Sequence, residues 1–436
     1  MVRNVGTAQL LIVGAIACWL MASCTAAPPP AELPEPSASA PPSATPSTTP
    51  SPVIDLAPPV PAQGPQPRRT GASGARPPAD FNGDGYGDLT VAKQERIPGD
   101  TNGVTYGLVH VLYGSPAGFR PRASQLWSRV TLGERLGRNW FGWALTHGDL
   151  DGDNYSDLVI GDPGSTDDGY GTGDVHILYG SAAGLSADRL QKWSLDSPGV
   201  AGRPETGDAF GSAVAVGNLG YSSHDDLAVG MPGRDGAGAA LVLFGSASGL
   251  ISDDRQVWDQ GTAGISGRPE RDDDFGEALA TGDFDGDGHD ELVIGVRYDR
   301  IADTIGAGSI HVLPGTSTGP TADGAQHWTP GQSGLLGQTT ETALFGDAFA
   351  VGSYTGSDHL DLAIGSPGWN SIDTGGAGAV HVLYGTSNGL TARGNQQWTE
   401  YDVGTREPRD DQPEDSPRFG ASLVAADFGR ARPTIS

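Results

Sequence analysis

The sequence contains few cysteines and few lysines. Its 436 residues include two cysteines, Cys18 and Cys24, and only two lysines, Lys93 and Lys192, whereas Asp and Glu number 53 and the net charge is −27. Binding to nucleic acid or to an anionic membrane surface requires clustered cations, so neither is expected as a partner. Because Cys18 lies in an apolar run typical of a signal sequence, the exported chain has at most one cysteine and no internal disulfide.

Helix-length amphipathic periodicity and several enzyme motifs are also missing. There is no His-Glu-x-x-His helix, no phosphate-binding Gly-x-x-x-x-Gly-Lys loop and no Arg-Gly-Asp adhesion tripeptide. The carboxylates fall mostly in turns and in acidic connections such as residues 272–274. No catalytic residue is therefore assigned from the sequence.

The N-terminus has the pattern of an export signal. Arg3 precedes an apolar run at residues 10–22, which is too short to span a membrane. Residues 1–23 are predicted to be a lipoprotein-type signal peptide, because Met21-Ala22-Ser23-Cys24 resembles a bacterial lipobox, with Cys24 as the lipidated residue. The alternative is ordinary signal cleavage near Ala26. The protein is expected at the outer face of the cell membrane, held only through its N-terminal lipid, or as a secreted protein.

The next segment, residues 24–79, consists largely of Pro, Ala, Ser and Thr. Such a composition cannot bury enough apolar surface to fold, and it favours extended polyproline II conformation. This segment is predicted to be a disordered tether or a simple spacer. It precedes one repeat domain at residues 80–428 and a short tail at residues 429–436.

Three acidic loops share one spacing of oxygen-bearing side chains. Residues 80–88, 149–157 and 283–291 carry Asp, Asn or Glu at positions 1, 3, 5 and 9, with Gly or Asn at position 6. Calcium takes about six to eight hard oxygen ligands, and alternate side chains of a tight turn can supply them together with the carbonyl of position 7. The predicted ligands of three Ca²⁺ ions are Asp80, Asn82, Asp84, Tyr86 and Asp88; Asp149, Asp151, Asp153, Tyr155 and Asp157; and Asp283, Asp285, Asp287, His289 and Glu291.

Two further loops have lost this pattern. Residues 218–226 and 353–361 keep only the final Asp and are predicted not to bind metal. In the loop at residues 283–291, Glu291 replaces the usual Asp, and Asp290 is an alternative ligand. The competing interpretation of all these segments is a set of solvated acidic turns, which three copies in phase disfavour. The missing helices and the missing Glu at position 12 exclude EF-hands.

The loops belong to a repeat of 65 to 74 residues that contains about four short strands bounded by Gly, Pro and Asp. Phe-Gly pairs begin at Phe141, Phe210, Phe275, Phe345 and Phe419, and tryptophans recur at Trp127, Trp193, Trp258, Trp328 and Trp398. With Gly-Asp-Pro at 161, Gly-Met-Pro at 230 and Gly-Ser-Pro at 365, these motifs resemble the FG-GAP repeat of integrin α-chain N-terminal domains and of bacterial secreted proteins. The resemblance implies an all-β fold, a β-propeller with calcium in hairpin loops.

The first repeat lacks the Phe-Gly strand that the last residues supply. We expect residues 419–425 to complete the first blade and to close a five-bladed ring, which would remove the exposed sheet edges. A truncated seven-bladed propeller is the alternative, because family members often have seven blades.

A few residues depart from the repeat and are therefore candidates for ligand binding. Trp140, Trp143 and Trp369 have no counterparts in the other repeats, and they are predicted to form an aromatic platform or to serve local packing. The recurring tryptophans and the recurring histidines of the third strand are predicted to be structural. The latter are His110, His176, His311 and His381.

The function expected from these features is recognition or adhesion at the cell surface by a monomer, with an extracellular protein or polysaccharide as ligand. A calcium-dependent polysaccharide hydrolase or lyase on a propeller scaffold is one alternative. A structural spacer of the cell envelope without a ligand is the other.

Overall fold

The computed structural model describes residues 79–97, 105–135, 139–164, 171–200, 202–220, 222–332, 334–369, 378–404 and 418–425. The predicted signal peptide, Cys24, nearly all of the tether and the tail lie outside these residues. The described part is all-β, with two short 3₁₀ turns at Pro121–Ala123 and Arg234–Gly236. No helix within it is long and apolar enough to cross a membrane.

Nineteen strands are formed by the described residues. They are β1 (Leu89–Arg96), β2 (Thr105–Leu112), β3 (Gln125–Trp127), β4 (Ala144–Gly148), β5 (Asp157–Asp162), β6 (Asp174–Tyr179), β7 (Ser186–Trp193), β8 (Val214–Gly217), β9 (Asp226–Met231), β10 (Ala239–Phe244), β11 (Ile251–Trp258), β12 (Phe275–Gly282), β13 (Glu291–Val296), β14 (Ser309–Leu313), β15 (Gln326–Trp328), β16 (Phe349–Gly352), β17 (Asp361–Ser366), β18 (Ala379–Thr386) and β19 (Gly389–Trp398).

The strands form five antiparallel sheets, which we call blades one to five. Blade one has three strands in the order β1-β2-β3, and blades two to five each have four strands in sequence order, β4–β7, β8–β11, β12–β15 and β16–β19. The register repeats as well, since Gly161 opposes Val175 in blade two and Gly365 opposes Val380 in blade five. This is the expected blade architecture of FG-GAP repeats.

The middle strands of the complete blades are buried on both faces. Every residue of β5, β6, β9, β10, β13 and β14 is buried. Their sequences are short continuous apolar runs, which is the pattern of a strand covered on both sides. The outer strand β7 is only half-buried, because it faces solvent at the rim. The hydrophobic cores consequently lie between neighbouring blades, with one cluster at each of the four interfaces.

The Phe-Gly pairs lock each blade to the one before it. Phe141, Phe210, Phe275 and Phe345 are fully buried, which stabilises the fold by about 1.5–3 kcal/mol each. The Phe carbonyl lies directly over a glycine at the start of the third repeat strand of the preceding blade, where an added Cβ would be only 1.8–2.4 Å from that oxygen. Only glycine permits such an approach. These glycines are Gly107, Gly173, Gly238, Gly308 and Gly378.

The C-terminal described segment continues this pattern beyond blade five. Phe419 forms a bridge with Gly378, and Leu423 and Ala425 pack against blade five beside Val382. The edge strand of blade one, β1, is exposed at Val91. Pairing of residues 419–425 with β1 is not shown among the described residues, so closure of the ring, with five blades or seven, stays a prediction.

Candidate calcium loops and the opposite face

The acidic loops at residues 149–157 and 283–291 each connect the first strand of a repeat to the second, and the loop at residues 80–88 leads directly into β1. In each loop, carboxylates accept hydrogen bonds from backbone amides of the same loop. The carboxylate of position 1 accepts a hydrogen bond from the amide of position 6: Gly85 N to Asp80 Oδ2 at 2.8 Å, and Gly288 N to Asp283 Oδ2 at 3.2 Å. Position 5 accepts from position 7, as in His289 N to Asp287 Oδ1 at 2.8 Å. Position 6 has the expected left-handed backbone, with φ of 83° at Gly85, 71° at Asn154 and 95° at Gly288.

Two of the loops bring three carboxylates together. In the set Asp149, Asp151 and Asp153, and in the set Asp283, Asp285 and Asp287, one oxygen from each residue lies within 4.8 Å of the others. In the first loop Asn82 stands at position 3, and its amide Nδ2 lies 3.2 Å from Asp84 Oδ2. The first loop therefore offers one carboxylate fewer, with an amide oxygen in its place.

Position 9 has a structural role that the sequence did not reveal. Asp88 Oδ2 accepts from the amide of Phe81 at 2.8 Å, and Asp88 Oδ1 accepts from Gly114 at 2.8 Å. Asp226, in a loop without the other ligands, makes the same pair of bonds to Leu219 and Gly245. The carboxylate at position 9 therefore fastens the loop to the neighbouring turn whether or not metal ligands are present. This explains why the degenerate loops keep it.

Glu291 is the exception at this position. Its Oε2 accepts from Phe284 N at 2.7 Å, whereas its Oε1 is buried and has no hydrogen-bond partner. An orphaned carboxylate oxygen beside three other carboxylates is a feature that a bound cation would satisfy. The alternative ligand Asp290 points elsewhere, because its carboxylate accepts from Asn218 N of the preceding blade at 2.9 Å.

Several carboxyl groups of these loops have a pKa above the ordinary value. Burial, with the charges of neighbouring carboxylates, raises the pKa of Asp88 to about 7, of Asp153 to about 6 and of Glu291 to about 8, against the opposing effect of backbone hydrogen bonds. A divalent cation would offset both causes. The donor set consists of hard oxygens, so the residues fit Ca²⁺ better than a metal that prefers nitrogen or sulfur.

The assignment of these residues as metal ligands stays a prediction. Tyr86, Tyr155 and His289 occupy position 7 and donate their amides to position 5. Their role as carbonyl ligands stays a prediction. The degenerate loops are held by hydroxyl groups instead, for example Ser222 Oγ with His224 Nδ1 at 3.0 Å.

The loops also join adjacent blades. Asp149 N donates to Asp225 Oδ2 at 2.9 Å, and Asp225 N donates to the Asp149 carbonyl at 3.0 Å. The same reciprocal pair connects Asn218 with Asp290. Position 1 of one loop is thus fixed to position 8 of the next. A metal ion that ordered one loop would therefore also order the interface between two blades.

Arg189 was not anticipated from the sequence. Its Nη1 lies 2.6 Å from Asp151 Oδ2, and its guanidinium stacks over the Tyr179 ring at 4.6 Å. The arginine comes from the outer strand β7, so only the fold brings it to position 3 of the second loop. Its guanidinium thus forms an ion pair with a carboxylate that is predicted to bind calcium.

The three tryptophans without counterparts in the other repeats lie at the ends of the blades opposite the acidic loops. Trp140 and Trp143 directly precede β4, and Trp369 follows β17. Trp140 and Trp143 stack with ring centroids 5.0 Å apart and planes at 25°, and both are partly exposed. Trp369 is buried with Ala343 in a separate cluster, and its Nε1 donates to the Gln338 carbonyl at 3.2 Å. Only Trp140 and Trp143 therefore form an aromatic surface together.

The recurring histidines and tryptophans occupy packed positions. His176, His311 and His381 are buried against the Phe of their own repeat, with ring centroids 5.2–5.7 Å apart. Trp258 and Trp328 are buried, whereas Trp398 is 41% exposed, because no described blade covers blade five.

Two Gly-x-Ser-x-Gly sequences, at residues 315–319 and 385–389, lie in turns between third and fourth strands. They lack the strand-to-helix geometry of a nucleophile elbow.

Comparison with known proteins identifies the repeats. Residues 141–178 and 275–313 match the FG-GAP repeat model, and each match covers an acidic loop and the strands around it. The chain is 35% identical over 163 residues to phosphatidylinositol-glycan-specific phospholipase D of Bos taurus, which covers 36% of this chain and 18% of that protein. Integrin alpha-7 of Rattus norvegicus is 32% identical over 183 residues, which covers 41% of this chain and 15% of the integrin.

A longer match, to the phospholipase D of Rattus norvegicus, is 29% identical over 241 residues and covers 53% of this chain and 27% of that protein. The chain thus spans about 15–27% of the length of these relatives. The similarity therefore concerns the repeat region and does not extend to whole proteins.

Proposed function

We propose that this chain, which carries FG-GAP repeats, is an exported calcium-binding module for recognition or adhesion at the cell surface. The observation that carries the proposal is the convergence of three carboxylates in each of two loops that stand in phase with the repeat. The similarity to integrin alpha-7 agrees with a role in binding outside the cell.

Calcium would act here by making the blades rigid. Each acidic loop is hydrogen-bonded to the corresponding loop of the next blade, through pairs such as Asp149 and Asp225. Without an ion, the buried carboxylates repel one another and the loop relaxes. With an ion, the loop and the blade interface are ordered together, which fixes the connections at the opposite ends of the strands. Three ions, one for each acidic loop, are proposed.

The ligand would bind at the face opposite the loops. There the partly exposed stack of Trp140 and Trp143 offers a flat aromatic surface, which suits the apolar face of a sugar ring or a peptide side chain. We propose an extracellular protein or a polysaccharide as partner and a monomeric protein anchored through a lipid on Cys24. Trp369 is assigned to packing, since it is buried.

The test is binding of the protein to cell-wall fractions, glycans and matrix proteins, in calcium and in chelator, with analysis of the bound material for cleavage. The matched variant is Trp143→Ser, because Ser212 occupies the same position in the next repeat. Saturable binding that needs calcium and is weakened by Trp143→Ser, with the ligand intact, supports recognition. Shortened ligand would instead indicate a hydrolase or lyase, and absence of saturable binding would favour a spacer.

A further inference from the structure

A buried polar slot lies between blades one and two, where the connection after Trp127 meets the second and third strands of the next blade. In this slot Arg129, which is 7% exposed, lies near the carboxylates of Asp162 and Asp174, at 3.6 and 3.7 Å. Lys192, on the outer strand, lies 2.9 Å from Asp174. Two cations of the chain thus neutralise the buried carboxylates.

The corresponding slot between blades three and four has the same construction but different residues. Two residues after the tryptophan, Gln260 takes the place of Arg129. At the start of the third strand, Ser309 takes the place of Asp174. Opposite the histidine of the third strand, His327 takes the place of Lys192. Asp299, which is 5% exposed, supplies the carboxylate. It accepts hydrogen bonds from Ser309 Oγ at 2.5 Å and from Gln260 Nε2 at 3.3 Å. Both donors are neutral.

Several polar atoms in this second slot lack partners. The Nε2 atoms of His311 and His327 and the Oε1 atom of Gln260 are buried and have no hydrogen-bond partner among the described residues. His311 is only 1% exposed. A cavity of about 300 Å³ reaches the slot and is lined by Asp299 and His327. Arg268, Arg300 and Glu270 line it as well, and Arg300 pairs with Glu270 at 3.0 Å. A buried carboxylate with unpartnered nitrogens and an accessible cavity beside it can accommodate a cation.

We propose that His311, His327 and Asp299 form a zinc site, separate from the calcium loops. Two imidazoles with one carboxylate form a donor set that binds Zn²⁺ in preference to Ca²⁺. Water in the cavity would complete a four-coordinate site. His311 and His327 are direct cross-strand partners, which places their Cβ atoms about 4.5–5.5 Å apart on one face of the sheet. In this slot the ion would supply the positive charge that Arg129 and Lys192 supply in the slot between blades one and two.

Metal binding requires side-chain movement, because the ligand atoms of these three residues do not all lie within 4.8 Å of one another. His327 Nε2 lies 3.9 Å from Asp299 Oδ2, and zinc bonds to each ligand at about 2.0–2.2 Å. The two imidazole rings stack with centroids 4.8 Å apart and planes at 23°. Since a metal binds in the plane of each ring, the His327 ring, which is 23% exposed, turns about its Cβ–Cγ bond while buried His311 stays in place. Burial lowers the pKa of His311 to about 3, so this imidazole is in the neutral form that binds metal.

The experiment uses the full protein in excess calcium, so that the acidic loops are occupied, and Co²⁺ as a spectroscopic substitute for Zn²⁺. One equivalent of Co²⁺ is expected to produce the visible absorption of a four-coordinate nitrogen and oxygen site, which Zn²⁺ then displaces. The variant His327→Gln removes one ligand and installs the residue that blade five has at this position, Gln397 opposite His381. The fold therefore accommodates it.

His327→Gln and Asp299→Asn are each expected to weaken Co²⁺ binding by more than about 10-fold, since even outer-shell changes at metal sites cost 10- to 100-fold. Asp285→Asn, in a calcium loop, should leave the Co²⁺ spectrum and affinity unchanged. The proposal is overturned if no site saturates at one equivalent in calcium, or if His327→Gln binds Co²⁺ as tightly as the wild-type protein. Neither outcome depends on whether the calcium proposal is correct.

Discussion

Replacing Arg129 with Gln is expected to destabilise the interface of blades one and two strongly. The Arg129 side chain is 9% exposed and pairs with Glu134 at 2.5 Å, while Asp162 beside it is fully buried. Removing one partner of a buried ion pair leaves an uncompensated charge, which costs about 3–5 kcal/mol. The choice of Gln keeps the side chain near native size and copies Gln260 of the other slot.

The loss should depend on pH. Burial raises the pKa of Asp162 to about 6 even with Arg129 beside it, and without the arginine that pKa rises further. A carboxyl whose pKa is higher in the folded state than in the unfolded state stabilises the fold when it is protonated, and this stabilisation is lost as pH rises through the folded pKa. The variant is therefore penalised most above about pH 6 and least near pH 4.

The pKa of Glu134 is shifted in the opposite direction, but its contribution also makes the variant lose more stability at neutral pH than in acid. Burial opposes ionisation of Glu134, but the hydrogen bond and charge of His176, with Arg129 and Lys192, lower its pKa to about 2. Its stabilisation is present above the unfolded pKa of 4.5 and is lost as pH falls towards 2. The variant loses the part of this stabilisation that comes from Arg129, whereas Lys192 still lies 3.3 Å from the Glu134 carboxylate.

The assay is urea unfolding of wild type and Arg129→Gln at pH 4.5 and 7.5, in calcium. A second variant, Arg129→Gln with Asp174→Ser, makes the slot resemble the one between blades three and four, which has Gln260 and Ser309. It should recover part of the lost stability at pH 7.5, because one buried carboxylate is removed. A cost below about 1 kcal/mol, or an equal cost at both pH values, would refute the view that this buried network depends on the arginine.

Three further results are expected. Metal quantitation should find three calcium ions in the wild type and two in Asp287→Ala, which removes the position 5 carboxylate that all three loops share. Finding one or none in the wild type would contradict the loop assignment. Arg189→Gln should tighten calcium binding by the second loop about 1.4- to 5-fold, because it removes a half-exposed ion pair with Asp151 worth about 0.2–1 kcal/mol. Weaker binding in titration calorimetry would show that the arginine instead positions the carboxylate. Gly308→Ala should lower the melting temperature markedly, since its Cβ would lie 2.3 Å from the Phe345 carbonyl at a φ of 77°, whereas Gly404→Ala, with a φ of 72° but no atom within 4 Å, isolates the cost of backbone strain alone.

The repeat and its acidic loops could be predicted from sequence because both depend on local spacing. Inward side chains at positions 1, 3 and 5 and a left-handed residue at position 6 follow from the geometry of a tight turn. The Phe-Gly pairs predicted the blades, since the Phe is buried against its own blade and the Gly carries a positive φ, as at Gly142 and Gly276. His176, His311 and His381, which recur at one position of the repeat, are all buried.

Other features could not be predicted, because they join residues far apart in the chain. One of the two backbone amides that donate to the Asp88 carboxylate belongs to Gly114, 26 positions away. The partner of Asp149 is Asp225, 76 positions away. Nothing in the sequence distinguished buried Trp369 from the exposed pair at 140 and 143. Their difference in exposure depends on which blade covers each side chain.

The sequence by itself determined the architecture of this protein, since a period of 65 to 74 residues with turn glycines and short apolar strands allows blades and little else. It also determined the chemistry of the loops, because hard oxygens at alternate positions suit calcium. Only the tertiary structure decided how the blades are joined and what the spaces between them contain. Arg129 and Gln260 stand at equivalent positions of the repeat, yet one neutralises a buried slot and the other leaves two imidazoles unpartnered, because the neighbouring strands supply different side chains to each slot.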